Sequence, residues 1–187
     1  MIKAVFDACV LYCAPLRGFL LNLATDRQVK PFWSAEIQDE WTRNLLRNRF
    51  DLTQGDTERT RRGMDVRFPN ALVRGYESII PALTLPDPND RHVLATAIHV
   101  SAECIVTFNL DDFPKTVLQP YGIETLSPDE FVLRLIQQRP RRVLKVARDH
   151  RLSLTRPPKT VDEYLATLEK QGLPKTVAFL REYKDVI

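Results

Sequence analysis

The stretch PDPNDRHVLATAIHVSAECIVTFNLDDFP, residues 86–114, decides the fold. Pro86 to Asn89 reads as a turn, because two prolines and an Asx pair break regular structure. From Asp90 onward, Val93, Leu94, Ala97 and Ile98 recur at helical spacing. Cys104 to Phe108 is then a short apolar run rich in β-branched residues, the best strand in the chain. A helix feeding a strand with no polar alternation is half of a βαβ unit. Such strands are buried on both faces, which predicts a mainly parallel sheet between helices.

Working outward, the same alternation recurs. Ile2 to Phe6 is an apolar strand that stops at Asp7. Leu16, Phe19, Leu20 and Leu23 mark a helix over 15–26, with Pro15 in its first turn. Val29 to Trp33 reads as a second strand, and Ser34 as the N-cap of a helix running to about Arg49. An Arg-rich helix follows from about Thr53 to Phe68, then a weak strand over Tyr76–Ile80. Ile123 to Leu126 is the last strand, and Ser127 with Glu130 forms a capping box for the next helix. Beyond Arg139 only helices are predicted, at about 140–149, 160–171 and 174–184. The reading is an α/β sandwich over 1–138 and a basic helical extension over 139–187.

Composition narrows the class. The chain has 187 residues, 44% hydrophobic and 27% charged, with a net charge of +3. These are ordinary globular proportions, enough to bury a core without disulfide staples. The 6 Gly and 13 Pro are scattered, which excludes collagen-like and low-complexity chains. No apolar run reaches the roughly 18 residues of a membrane span, and Asp7 interrupts the first apolar stretch, so no signal peptide is expected. A cytoplasmic protein without membrane contact is the expectation. Cys9, Cys13 and Cys104 then read as small core residues, and no second Cys/His pair accompanies the first two to make a zinc site.

The acids carry the functional signal. In an open parallel sheet, ligands bind beyond the carboxyl ends of the strands. Asp7 ends the first strand, Glu40 lies within the helix after the second, Asp90 opens a helix, and Asp111 and Asp112 follow the best strand. Each has a plainer explanation: Asp90 as a helix cap, Glu40 as a solvated helix residue, Asp112 as a loop acid. Asp7 is harder to explain away, since an acid closing a buried strand is costly without a partner. Gathered carboxylates repel and raise one another's pKa unless a divalent cation neutralises them. Oxygen donors without a His or Cys cluster suit Mg²⁺ or Mn²⁺.

Four stretches together resemble one family: AVFDACVLYCAPLR at 4–17, SAEIQDEWTRNL at 34–45, PDPNDRHVLATAI at 86–98 and IVTFNLDDFP at 105–114. In this order and spacing the chain resembles the PIN-domain ribonucleases, and among them the VapC-type toxins of bacterial toxin–antitoxin pairs. The resemblance covers roughly residues 1–135 and implies a PIN-like three-layer sandwich. It implies that Asp7, Glu40, Asp90 and Asp112 are catalytic, and that Asp7, Asp90 and Asp112 ligate the metal. Asn109 stands where the family's fourth acid usually lies, so Asp112 is expected to supply the missing carboxylate. Thr107, Asn109 and Asp87 are expected just outside the metal shell. The implied activity is metal-dependent endoribonuclease chemistry on RNA, silenced by a cognate antitoxin, with a homodimer as the implied assembly. The alternative is a PIN-like module that holds RNA or protein without cutting, its activity lost with the acid at Asn109.

Other classes fit less well. A phosphoacceptor receiver domain needs an acidic pair after its first strand, where Asp7 stands alone. A dinucleotide enzyme needs a G-x-G-x-x-G turn, and Gly18 is isolated. His92 and His99 read as structural or surface residues. Arg17, Arg43, Arg47 and Arg91 surround the acids and are in position to guide a phosphate backbone, although solvated surface is the simpler role for each. The extension holds 12 Lys and Arg against 6 Asp and Glu, and six of its basic residues fall between Arg139 and Arg151. Arg141, Arg142, Lys145 and Arg148 are the expected RNA contacts there, through phosphate charge.

Overall fold

A computed structural model describes residues 1–187. The chain runs β1 (Ile2–Phe6), α1 (Ala8–Tyr12), α2 (Ala14–Thr25), β2 (Val29–Ser34), α3 (Ala35–Asn48), α4 (Gln54–Arg67), β3 (Leu72–Val73), α5 (Arg91–His99), β4 (Cys104–Val106), α6 (Lys115–Leu118), β5 (Glu124–Leu126), α7 (Pro128–Gln138), α8 (Pro140–Ser153), α9 (Val161–Lys170) and α10 (Pro174–Arg181). The five strands form one parallel sheet in the order β3-β2-β1-β4-β5.

That order places the direction reversal between β1 and β4, the position where open parallel sheets bind ligands. The two strands are hydrogen-bonded neighbours, and the Asp7 amide extends their ladder by donating to the Val106 carbonyl at 3.1 Å. The central strands read as continuous apolar runs because helices cover both faces: Ala4, Val5, Phe6, Cys104, Ile105 and Val106 are all fully buried. Pro31 is tolerated in β2 for a local reason. Odd-numbered amides of this strand point toward β3, as Trp33 does to Ala71, and β3 pairs only with Trp33 and Ser34. The amide that Pro31 lacks therefore faces a stretch of open edge.

The helices start where the sequence says they should. Ser34 accepts from the Ile37 amide, and Thr53–Asp56, Ser127–Glu130 and Thr160–Glu163 form capping boxes. One predicted element is different. Residues Glu77–Ala82 form a 3₁₀ helix, and the strand pairing with β2 is Leu72–Val73. Gly75, at φ +84°, turns the chain before Tyr76, so Ile79 and Ile80 pack on the sheet's helical layer instead of joining its edge.

The C-terminal helices share the core, one cluster of 49 buried residues that includes Val143, Leu165 and Leu180 beside Phe6 and Phe19. Phe131 of α7 meets Phe6 edge to face at 5.9 Å. On α8, Val143, Val146, Ala147 and His150 face inward. The His150 ring stacks on Phe19 at 6.0 Å, and its Nδ1 lies 3.0 Å from the Tyr164 hydroxyl. Burial lowers its pKa to about 4, so the ring packs neutral. The crossing of α8 on α2 needs Gly18, where a Cβ would stand 2.9 Å from His150 Nε2.

Candidate active site

Asp7 leaves β1 as the N-cap of α1, with only 3% of its surface exposed. One carboxylate oxygen accepts from the Ala8 amide at 2.6 Å. The other accepts from the Thr107 hydroxyl at 2.6 Å and the Cys9 thiol at 3.1 Å. Thr107 follows β4, so the strand pairing itself brings hydroxyl to acid. The network continues: the Asn109 amide donates to Thr107 Oγ1 at 3.0 Å, and the Phe108 amide to Cys9 Sγ at 3.3 Å. Burial raises the pKa of Asp7, against the lowering effect of these donors.

Asp90 opens α5 without making any capping bond, so its carboxylate is free for other work. Its pKa is raised to about 7 by burial first, then by the charges of Asp7, Asp87, Asp112 and Glu40. Thus Asp7, Glu40 and Asp112, from three other elements, lie near enough to Asp90 for their charges to act on it. Asp87 joins them from the preceding turn, where its side chain also accepts from the Asn89 amide at 2.8 Å. Asp111 is exposed and lines the groove beside α6. Asn109 is exposed and anchored through its backbone.

The donor set is all hard oxygen, and its repulsion is what a divalent cation would relieve, so the residues fit Mg²⁺ or Mn²⁺ in chemistry. As the side chains stand, no group of three or more His, Cys, Asp and Glu is closed tightly enough to hold a metal ion.

Two participants escape a sequence reading. Cys9 is not a plain core residue: its thiol, pushed up to about 12 by burial and the neighbouring Asp7 charge, stays protonated and donates to Asp7. Its position two residues past the strand-end acid is the only sequence signal. His92 is 5% exposed, with Nε2 3.7 Å from Glu40 and Nδ1 3.9 Å from Glu36, beyond hydrogen-bond reach in both cases. Nδ1 has no partner.

The arginines separate into two kinds. Arg17 donates to the Leu11 and Tyr12 carbonyls and lies 4.7 Å over the Trp41 ring, closing the C-terminal end of α1. Arg91 holds the Pro88 carbonyl at 2.9 Å. Arg43 and Arg47 are exposed, lack any ion-pair partner, and share the helical face of Glu40. They line a groove of about 510 Å³ between α3 and α4, with Arg61 on its far side. On α8, Arg142 pairs with Asp26 at 3.6 Å and Lys145 with Asp149 at 2.5 Å, while Arg141 and Arg148 are exposed. Asp26 precedes β2, so this part of α8 sits at the sheet edge opposite Asp7.

Residues 3–111 match the PIN domain model, and residues 128–182 match the VapC50 C-terminal domain. The chain is 46% identical over 69 residues to a Mycobacterium tuberculosis protein named "Putative ribonuclease VapC50". That alignment covers 35% of this chain and 40% of the relative. No solved structure matches the chain.

Proposed function

The chain belongs to the PIN domain family, and on that premise we propose that it is a VapC-type endoribonuclease that hydrolyses RNA phosphodiester bonds. The observation that carries this is Asp90: a carboxylate free of any capping bond, raised to about 7 by burial first and then by the charges of four other acids. Nothing in the packing requires such crowding, and it costs stability in the metal-free protein. The ribonuclease named among its relatives supports RNA as the substrate.

Mg²⁺ or Mn²⁺, when bound, supplies an activated water near neutral pH and a positive centre for the phosphate oxygens. Asp7, Asp90 and Asp112 would hold it. Asp7 is the fixed member, because Thr107, Cys9 and the Ala8 amide orient both of its oxygens. Glu40, half-buried on α3, faces the same volume and is placed to take a proton from the attacking water. Arg43 and Arg47 continue the face of Glu40, one and two turns farther along α3. They receive the phosphates that flank the cut bond.

A cognate antitoxin belongs to the same reading. A Lys or Arg from such a partner would compete with the cation for the acidic pocket by charge. A homodimer and a cytoplasmic location complete it; no helix is long and apolar enough to cross a membrane. The second reading, a PIN-like module that binds without cutting, draws support from Asn109 and from the open metal shell.

The deciding experiment incubates the full chain with pooled RNA in Mg²⁺, Mn²⁺ or EDTA. Cleavage in either metal, lost in EDTA and in Asp7→Asn and Asp90→Asn, is the expected result. RNA binding without cleavage in any metal selects the binding module instead.

A further inference from the structure

The C-terminal helices are more than an addition to the core, because they touch the active-site loop. The turn between α9 and α10 is made by Gly172 at φ +81°, a conformation that suits glycine. An added Cβ there would meet the Phe108 ring at 3.0 and 3.4 Å, so the Gly172 backbone lies directly against that ring. Phe108 stands between Thr107, whose hydroxyl holds Asp7, and Asn109, whose amide holds Thr107. Pressure on the ring therefore acts on Thr107, the acid's anchor, and on Asn109, whose amide holds that anchor.

The turn is itself pinned from the core side. Asp129, in the first turn of α7, is 6% exposed and accepts from the Lys175 and Thr176 amides at 2.9 and 2.8 Å. These are free amides at the start of α10, which a carboxylate satisfies in both charge and hydrogen bonding. Leu173 and Val177 beside them are fully buried. The same α7 follows β5, whose Leu126 carbonyl accepts from the Thr107 amide at 3.0 Å. Asp129, α10, Gly172, Phe108 and Thr107 thus form a closed loop of contacts at the sheet's catalytic edge. Both Asp129 and Gly172 lie in the stretch that matches the VapC50 C-terminal domain.

We propose that Gly172 and Asp129 are positioning residues: they lock the α9–α10 turn against Phe108 and so hold the Thr107–Asn109 segment in place around Asp7. The C-terminal helices are on this view a brace for the active site. The proposal rests on the nuclease reading for its kinetic consequences, and its structural content is measured separately.

The test uses the full chain with Phe108→Ala, Gly172→Ala, their double variant and Asp129→Asn, and follows cleavage of an RNA substrate alongside amide hydrogen exchange. Each single alanine variant lowers kcat about tenfold with KM little changed, since sub-ångström misplacement of a catalytic group is felt in rate. Exchange quickens at the Asn109 amide and stays slow in β1. The double variant is no slower than Phe108→Ala alone, because without the ring Gly172 has nothing to press on. Asp129→Asn, which weakens the hold on the Lys175 and Thr176 amides, quickens exchange at Asn109 in the same way. Multiplying losses in the double variant, or unchanged exchange at Asn109 in both single variants, would overturn the brace. So would an effect of Phe108→Ala confined to KM, which would make the ring a base-stacking contact. If Gly172→Ala fails to fold, Phe108→Ala and its exchange pattern decide alone. If the wild type cuts no RNA, the nuclease reading fails, and exchange still reports whether the turn holds the loop.

Discussion

Replacing Asp90 with Asn separates a working acid from a structural one, because the two roles predict opposite signs. A carboxylate that supports the fold loses stability on neutralisation. Asp90 makes no capping bond, and its pKa is raised from the ordinary 3.8 to about 7. At about 1.4 kcal/mol per pH unit, a raise of that size corresponds to a cost of about 4 kcal/mol when the group is charged. Asp90 is only half-buried, so solvent screening reduces this to about 2 kcal/mol. The folded state binds more protons than the unfolded state between about pH 4 and 7, so wild-type stability falls as pH rises through that window. Asp90→Asn removes the cost. In EDTA at pH 8 the variant is expected to be more stable by about 2 kcal/mol, or about 4–8 °C in Tm for a chain of this size. Near pH 4 the gap closes. Urea melts at the two pH values measure it, with near-ultraviolet circular dichroism to confirm that the fold is unchanged. Millimolar Mg²⁺ should then stabilise the wild type and leave the variant where it was. A variant that is less stable than wild type at pH 8, or a gap of the same size at pH 4, would refute the account. Asp7→Asn is a poorer probe: relief of charge is set against loss of an acceptor for Thr107 and Cys9.

Three further outcomes follow from the same geometry. Arg43→Ala together with Arg47→Ala should flatten the salt dependence of RNA affinity by about 1.4 in slope, about 0.7 for each phosphate lost on a single strand. Alanine at Arg141, Arg142, Lys145 and Arg148 together should flatten it less, and the reverse ranking in salt titrations would return the backbone track to α8. His150, lowered to about 4 by burial, is neutral in the fold and is protonated more easily in the unfolded chain. Stability should therefore fall by up to about 3 kcal/mol as pH drops from about 6.5 to 4, and His150→Phe should flatten that limb in acid melts. Gly18→Ala should cost about 1–3 kcal/mol, measured by denaturant midpoint, because its Cβ would press the His150 ring in a packed crossing.

Much of the fold was legible in the chain, because the strands are apolar on both faces and the caps are local. Ser34, Thr53, Ser127 and Thr160 each reach their own first turn, so residues a few positions apart carry the whole signal. The strand-end acid and the helix-opening acid were visible for the same reason, since β1 and α5 are defined by local pattern. The edge of the sheet was not. Whether Leu72–Val73 or Tyr76–Ile80 pairs with β2 depends on which segment reaches Trp33 and Ser34, and that is a matter of chain path through Gly75. The partners of the acids were hidden too. Cys9 reads as a small apolar residue, and only the β1–β4 pairing brings Thr107 to Asp7 across 100 positions. Arg17, Arg43, Arg47 and Arg91 look alike as letters. Tertiary packing puts Arg17 on helix carbonyls and Arg91 on a turn, and leaves Arg43 and Arg47 free. Basic charge along α8 was plain in the sequence, but which edge of the sheet it occupies was settled only when Gly18 let that helix cross α2. Sequence determined the elements and the acids, because those follow from neighbours along the chain. Structure decided what each acid touches, because contacts across the sheet obey strand order and helix crossing, which no local pattern carries.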